Sequence, residues 1–304
     1  MRPFIRQLFA AAALIATGTG AAQAQGTAYA LTTTQQGSQP AVQQLIRFNP
    51  SAPGSFTTVG VTGVSLSGID FRPLNNVLYG YAGTTLYTIN LQTGAATAIP
   101  GTFGSASGNV GFDFNPTVDR IRVVSPTGTN LRLTPDGNMT MPTPPPTSVD
   151  GAYTLPASLG GGSPVFSAVA YTNNDNDPLT ATMLFGIDAG RGQLFRMGNP
   201  NGGEVTLIGS LGISNLNSVL GFDIVTVGTT NTAFFTANTN AASSGFYSLD
   251  LATGAATLVD RFGGQTQITG LAITAVPEPG TYLLVAVGLA GVGLVARRRR
   301  NVAA

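Results

Sequence analysis

None of the 304 residues is Cys, His, Lys or Trp, and only 9% are charged. Each absence removes a chemistry. Without Cys there are no disulfides, thiolate nucleophiles or soft-metal ligands, so the chain relies on size and packing instead of covalent staples. Without His, Cys and Lys there is no Ser-His-Asp triad, Cys-His pair, Schiff base or phosphate-loop lysine. The formal charge of +1 hides an acidic body, because Arg2, Arg6, Arg297, Arg298, Arg299 and Arg300 lie in the terminal segments. Between residues 25 and 276, eight Arg stand against eleven Asp and Glu204, which argues against a nucleic-acid partner held by phosphate contacts. What the chain has in quantity is 40 Gly, 19 Pro and 43% hydrophobic residues. That is a large core with little room for helix, so the fold class is all-β.

The organising feature is a repeat. Gly68-Ile69-Asp70-Phe71 returns as Gly111-Phe112-Asp113-Phe114 and Gly221-Phe222-Asp223-Ile224, with degenerate copies at Ala168 to Tyr171 and Gly270 to Ile273. The copies lie 43, 57, 53 and 49 residues apart, the length of one four-stranded propeller blade. After the first copy, Val77 to Tyr81, Thr85 to Leu91 and Ala95 to Ile99 read as strands two to four. The corner Gln92-Thr93-Gly94 recurs as Pro135-Asp136-Gly137, Asn201-Gly202-Gly203 and Ala252-Thr253-Gly254, its glycine supplying positive φ. In the first blade Ala52-Pro53-Gly54 takes that place.

Ala28 to Leu31, Gln44 to Phe48 and Phe56 to Val59 match strands two, three and four of a blade with no first strand, and the surplus first strand is Gly270 to Thr274 at the other end. The prediction is a five-bladed β-propeller over 25–275, closed by pairing of the C-terminal strand with the N-terminal blade. Met141 to Pro164, with Pro144 to Pro146 and Gly160 to Gly162, is predicted to loop out as an insertion.

Asp70, Asp113 and Asp223 invite a reading as ligands around a central site. Alternation with apolar neighbours instead directs them between blades, where a carboxylate accepts backbone N–H groups from an adjoining loop. Two copies carry Ala, which a complete ligand ring does not favour. Asp175 and Asp177, within Asn173 to Pro178, are candidate calcium ligands. Read as a calcium loop from Asp175, however, Thr180 stands where the sharp-turn Gly belongs and Gly186 where the bidentate Glu belongs, and an Asx-rich turn accounts for the same residues. No catalytic, cofactor-binding or metal-binding set is assigned. Tyr79, Tyr81, Tyr153 and Tyr171 are candidates for stacking on sugars if exposed and for core packing if not.

The ends carry address information. Residues 1–24 combine Arg2 and Arg6, the apolar run Leu8 to Ala16, and Ala22-Gln23-Ala24, the order of a secretory signal helix cut by signal peptidase. Residues 276–304 hold Pro277-Glu278-Pro279, an apolar stretch at 281–296 and the basic cluster Arg297, Arg298, Arg299 and Arg300. The fifteen residues Tyr282 to Ala296 reach about 22 Å as helix, a thin or transient transmembrane span, and the four arginines hold its end in the cytoplasm. This tail resembles the PEP-CTERM class of bacterial surface proteins, whose Pro-Glu-Pro motif is matched by Pro277, Glu278 and Pro279 and whose basic cluster is matched by Arg297 to Arg300. The resemblance implies processing by an exosortase and a surface or extracellular fate in a Gram-negative bacterium that makes exopolysaccharide. The repeats are also similar to an uncharacterised family of secreted propeller-like domains, on phrases such as Ser67 to Pro73 and Gly111 to Arg120. The expected function is a non-enzymatic surface or matrix scaffold that binds exopolysaccharide or another surface protein. The alternative is a carboxylate-dependent glycoside hydrolase using Glu204 or Asp113 on the same polymer.

Overall fold

The computed structural model describes residues 26–36, 39–136, 147–175, 177 and 179–274. Several expectations fall outside the described residues: the signal helix, the sorting motif Pro277, Glu278 and Pro279, the apolar stretch 281–296, and the basic cluster Arg297, Arg298, Arg299 and Arg300. Five four-stranded antiparallel sheets make up the rest. Blade I contains β1 (Ala28–Gln36), β2 (Gln39–Phe48) and β3 (Thr57–Val61), and blade II contains β4 (Gly68–Arg72), β5 (Val77–Ala82), β6 (Thr85–Ile89) and β7 (Ala96–Ala98). In blade III, β8 (Gly111–Asn115), β9 (Arg120–Val124), β10 (Asn130–Leu133) and β11 (Thr147–Val149) follow. Blade IV has β12 (Phe166–Tyr171), β13 (Leu184–Asp188), β14 (Gln193–Asn199) and β15 (Glu204–Ser210). Blade V has β16 (Ser218–Val227), β17 (Thr230–Asn238), β18 (Gly245–Leu249) and β19 (Ala256–Arg261). The last strand, β20 (Ile268–Ile273), is the innermost strand of blade I: Tyr29 pairs with Ala272 and Ala30 with Leu271, so the ring closes as the repeat count requires.

Alternation along each inner strand decides where the core lies. Ile69 and Phe71 point back to blade I and pack with Tyr29, Leu31 and Leu45, while Tyr79 and Tyr81 on the other face of blade II pack with Phe112 and Phe114 of blade III. The same arrangement yields one apolar cluster in each of the five clefts between blades. All four candidate sugar-stacking tyrosines, Tyr79, Tyr81, Tyr153 and Tyr171, are buried in these clefts and belong to the core.

The corners between strands three and four hold neighbouring blades together. Gly94, Gly203 and Gly254 have φ of 77°, 78° and 80°. There is a second reason for glycine here: a Cβ on Gly94 would lie 2.8 Å from the backbone of Gly60 on the preceding blade, and one on Gly254 would lie 2.9 Å from Gly209. Asn90 and Asp250 close the two corners as Asx turns, each accepting from the N–H groups two and three residues on.

The stretch read as an insertion is more structured than an extruded loop. Thr147–Val149 supplies the fourth strand of blade III, so that strand does not follow the Pro135-Asp136 corner directly. Tyr153 and Leu155 are buried against blade IV, and Thr154 forms a parallel bridge with Glu204. The physical reason is that blade IV presents apolar Phe166, Phe195 and Met197, whose burial outweighs the poor strand propensity of the flanking Pro and Gly residues. Among the described residues the only helical turn is the short segment Ala157–Leu159, and no helix is long and apolar enough to cross a membrane.

Candidate functional site

Inner strands β4, β8, β12, β16 and β20 surround the axis, and their contacts explain the repeat motif residue by residue. The first position must be small. A Cβ on Gly68 would sit 2.6 Å from the Cβ of Phe112, and one on Gly221 2.5 Å from the Cβ of Leu271, so each glycine is the point where the next inner strand crosses closest. Two residues on, the aspartate reaches across the same gap. Asp70 accepts from the N–H of Phe71 at 2.7 Å and, in blade III, from that of Phe114 at 2.8 Å. Asp113 accepts from Tyr171 N–H of blade IV at 2.9 Å. Asp223 accepts from Ile224 at 2.6 Å and from Ile273 of the closing strand at 2.5 Å. These carboxylates do lie between blades and bond to backbone, but their cross-blade donors belong to the next inner strand, not to a loop.

Tertiary structure adds what the sequence does not display: the three carboxylates converge. All are buried, and one oxygen from each lies within 4.8 Å of the other two. Burial raises Asp70 well above the ordinary carboxylate range, with repulsion from Asp223 adding to it. Burial also raises Asp113 well above that range, reinforced by the charges of Asp70 and Asp223. Burial pushes Asp223 up to about 7, against the opposing effect of its two backbone donors. Among the described residues no ion pair reaches these three carboxylates, and the buried Arg72 and Arg122 are committed to other partners.

Arg72, next but one after Asp70, forms a fork with Asp119 at 2.8 and 2.5 Å and bonds Asp136 at 2.6 and 3.2 Å, tying blade II to blade III. Arg122 binds Asp150 at 2.6 Å, Asn130 at 2.7 Å and Asn201 of blade IV at 2.7 Å. Where the repeat carries Ala in place of Asp, other side chains bridge the clefts: Ser167 donates to the Val219 carbonyl, and Gln43 clamps both the N–H and the carbonyl of Leu66.

Three carboxylates this close can share protons or face a hard cation. Both oxygens of Asp70 and Asp223 and one of Asp113 already receive backbone N–H groups. The axial space beside them, lined by Gly68, Gly111, Ser167, Gly221 and Gly270, is about 10 Å³, room for roughly one water. With five of the six carboxylate oxygens already accepting backbone N–H groups, the set offers little to a calcium shell of six to eight oxygens, whereas shared protons answer the buried like charges directly. Asp175 and Asp177 stand apart from the axis in the turn between β12 and β13. There Asp175 accepts from Asp177 N–H at 3.0 Å and Asp177 from Leu179 N–H at 2.9 Å. Their neighbours Asn173 and Asn174 pin the turn to Asn231 and Thr226 of blade V. Glu204 is exposed at the start of the outermost strand of blade IV, far from the axial aspartates in the fold.

Residues 44–272, most of the ring, match a family model described as a domain of unknown function, DUF4394. The chain belongs to the DUF4394 family. Residues 275–300 match the PEP-CTERM protein-sorting motif, which marks an exported protein sorted to the cell envelope and implies exosortase processing. That match spans both Pro277 to Pro279 and Arg297, Arg298, Arg299 and Arg300. Among curated proteins none matches the chain. Solved structures similar in fold include a protein of unknown function from Bacteroides thetaiotaomicron, with 13% identity and TM-score 0.40 over 77% of this chain and 64% of that one. A protein from Lactobacillus plantarum has 11% identity and TM-score 0.38 over 81% and 98%, and TolB from Acinetobacter baumannii 14% and 0.41 over 77% and 52%. The chain thus spans about two thirds of the first of these and half of TolB.

Proposed function

We propose that this DUF4394 propeller is a non-enzymatic binding scaffold at the cell surface, whose loops engage exopolysaccharide or another surface protein. The observation that carries the reading is the commitment of the axis. The three axial carboxylates are turned toward neighbouring backbone, and the axial space at the glycine end of the inner strands admits about one water, not a sugar ring. A rigid ring with a closed axis works through what it displays at its rim. The most suitable displayed feature is a groove of about 270 Å³ beside the long β1–β2 hairpin, lined by Thr33, Val42, Gln43, Val61, Thr62 and Val64. It offers apolar surface from Val42, Val61 and Val64 for a pyranose face, with the exposed Thr33 hydroxyl at its rim.

The test is glycan-array binding and turnover on the detergent-solubilised full chain. Binding without turnover, weakened by Val61→Asp in the groove, is the expected result. Turnover that disappears in Glu204→Gln or Asp113→Asn would replace this reading with a carboxylate glycosidase.

A further inference from the structure

The two faces of the ring are not equivalent. In every blade the inner strand runs toward one face, strand two returns, strand three comes back, and strand four leaves again. The turns joining strands one to two and three to four therefore share a face. In blade I the place of the first of these turns is taken by the chain ends, Gly26 before β1 and Thr274 after β20. The sorting tail thus leaves from this face, beside the axis, because β20 is an innermost strand.

We propose that this face lies against the lipid bilayer while the tail is inserted, with the turn tips of blades II, III and IV touching the membrane. The proposal rests on reading 281–296 as a membrane segment. That segment starts seven residues after Thr274, a tether of at most about 25 Å. To bring the opposite face to the membrane, the tether would have to cross a four-stranded blade, about 14 Å, and then climb a strand of about 17 Å, which exceeds its reach.

The near face also carries suitable side chains. Leu74 at the blade II turn is 53% exposed, Val118 at the blade III turn 59%, and Leu179 on the blade IV turn 90%, with Met183 exposed on the same turn. Thr117 donates to the Thr180 carbonyl at 3.1 Å and Arg72 grips Asp119, so the three tips are joined to one another and present one surface. Asp136, Asp177, Glu204 and Asp250 are exposed on the same side, which makes a zwitterionic surface the better partner and an anionic one the poorer.

Because the chain has no Trp, single reporters can be read without background. The full chain carrying Leu179→Trp, Val118→Trp or Val149→Trp is reconstituted in phosphatidylcholine vesicles with brominated acyl chains. Val149 is 80% exposed but lies at the opposite end of β11, on the far face. Expected are co-flotation with the vesicles, blue-shifted and quenched emission from Leu179→Trp and Val118→Trp, and water-like emission from Val149→Trp. Co-flotation with the first two unquenched, or with Val149→Trp quenched, overturns the orientation. Failure to float overturns the membrane-segment reading itself and takes the orientation with it.

Discussion

Aspartate appears in two opposite settings in this ring. At the periphery of the blade II–III and III–IV clefts, Asp119, Asp136 and Asp150 are neutralised by Arg72, Arg122 and Arg132. On the axis, Asp70, Asp113 and Asp223 face one another with only backbone N–H groups as donors among the described residues. The same side chain thus joins blades by ion pairing in one place and by backbone hydrogen bonds in the other. The peripheral set is paired with arginines, whereas burial raises all three axial carboxyls above the ordinary range, with mutual repulsion adding to it at Asp70 and Asp113. The comparison teaches that polar contacts between blades need not share one pH dependence.

Breaking the peripheral side has the largest expected effect. Asp150→Ala strands Arg122, which is almost fully buried, and removes an anion shared with Arg132. A loss of about 3–5 kcal/mol is expected, read as a large fall in the denaturant midpoint at unchanged slope. Asp136→Ala should cost about 1 kcal/mol or less, because Asp136 is more than half exposed and Asp119 still holds the Arg72 fork. Equal costs for the two would undo the distinction between buried and rim pairs.

Next comes the crossing point of the inner strands. Gly221→Ala sets a Cβ 2.6 Å from the backbone nitrogen of Leu271 and forces the closing strand outward, at an expected cost of about 1–3 kcal/mol. Gly228→Ala serves as the control for strain without crowding, since open space surrounds Gly228 at φ 60°. If both substitutions lower Tm equally, close approach is not what the repeat glycine provides.

The axial set is sharpened by pH. A carboxyl whose folded pKa is raised contributes stability that is complete below its unfolded value of about 4 and is lost as pH rises through the folded value, about 7 for Asp223. Among the described residues Asp113 uses one oxygen as a hydrogen-bond acceptor, so Asp113→Asn keeps the bond from Tyr171 and removes a charge from the cluster. Relative to the parent, this variant should gain roughly 1 kcal/mol at pH 8–9, with the gain vanishing near pH 4. Thermal melts across that range check it, and a difference independent of pH would mean that the triad does not share protons. Asp70→Asn should be worse at every pH, because both of its oxygens are acceptors.

The smallest effect belongs to the blade IV turn. Asp175→Ala removes one local Asx contact and should shift stability by no more than about 0.5 kcal/mol, with calorimetry against calcium silent. A calcium-dependent rise in Tm abolished by Asp175→Ala would restore the metal reading.

Much of this was legible in the linear order because it depends on neighbours in the chain. Alternation assigned the cleft-facing residues, the corner glycines marked the hairpins, and the displaced first strand at Gly270 identified the closure. Less legible was the blade III edge, where Pro142 and Pro144 to Pro146 mark a loop but do not reveal that Thr147–Val149 rejoins the sheet. Tyr153 and Leu155 could have been flagged as alternating apolar positions inside a stretch otherwise rich in Gly and Pro. Arg72 and Arg122 carried no local sign of their role, since their partners Asp119, Asp136 and Asp150 lie 28 to 64 residues away along the sequence.

Sequence by itself determined the strand pattern, the number of blades, the closure and the sorting address, since hydrophobic period, turn chemistry and terminal motifs are all short-range properties. Only the tertiary structure decided that three aspartates from separate repeats meet on one axis, that the repeat glycine marks a crossing of strands, and that Thr274 lies on the face of the turns joining strands one to two. Those facts arise from bringing inner strands some fifty residues apart into contact, and no local window of sequence contains that distance.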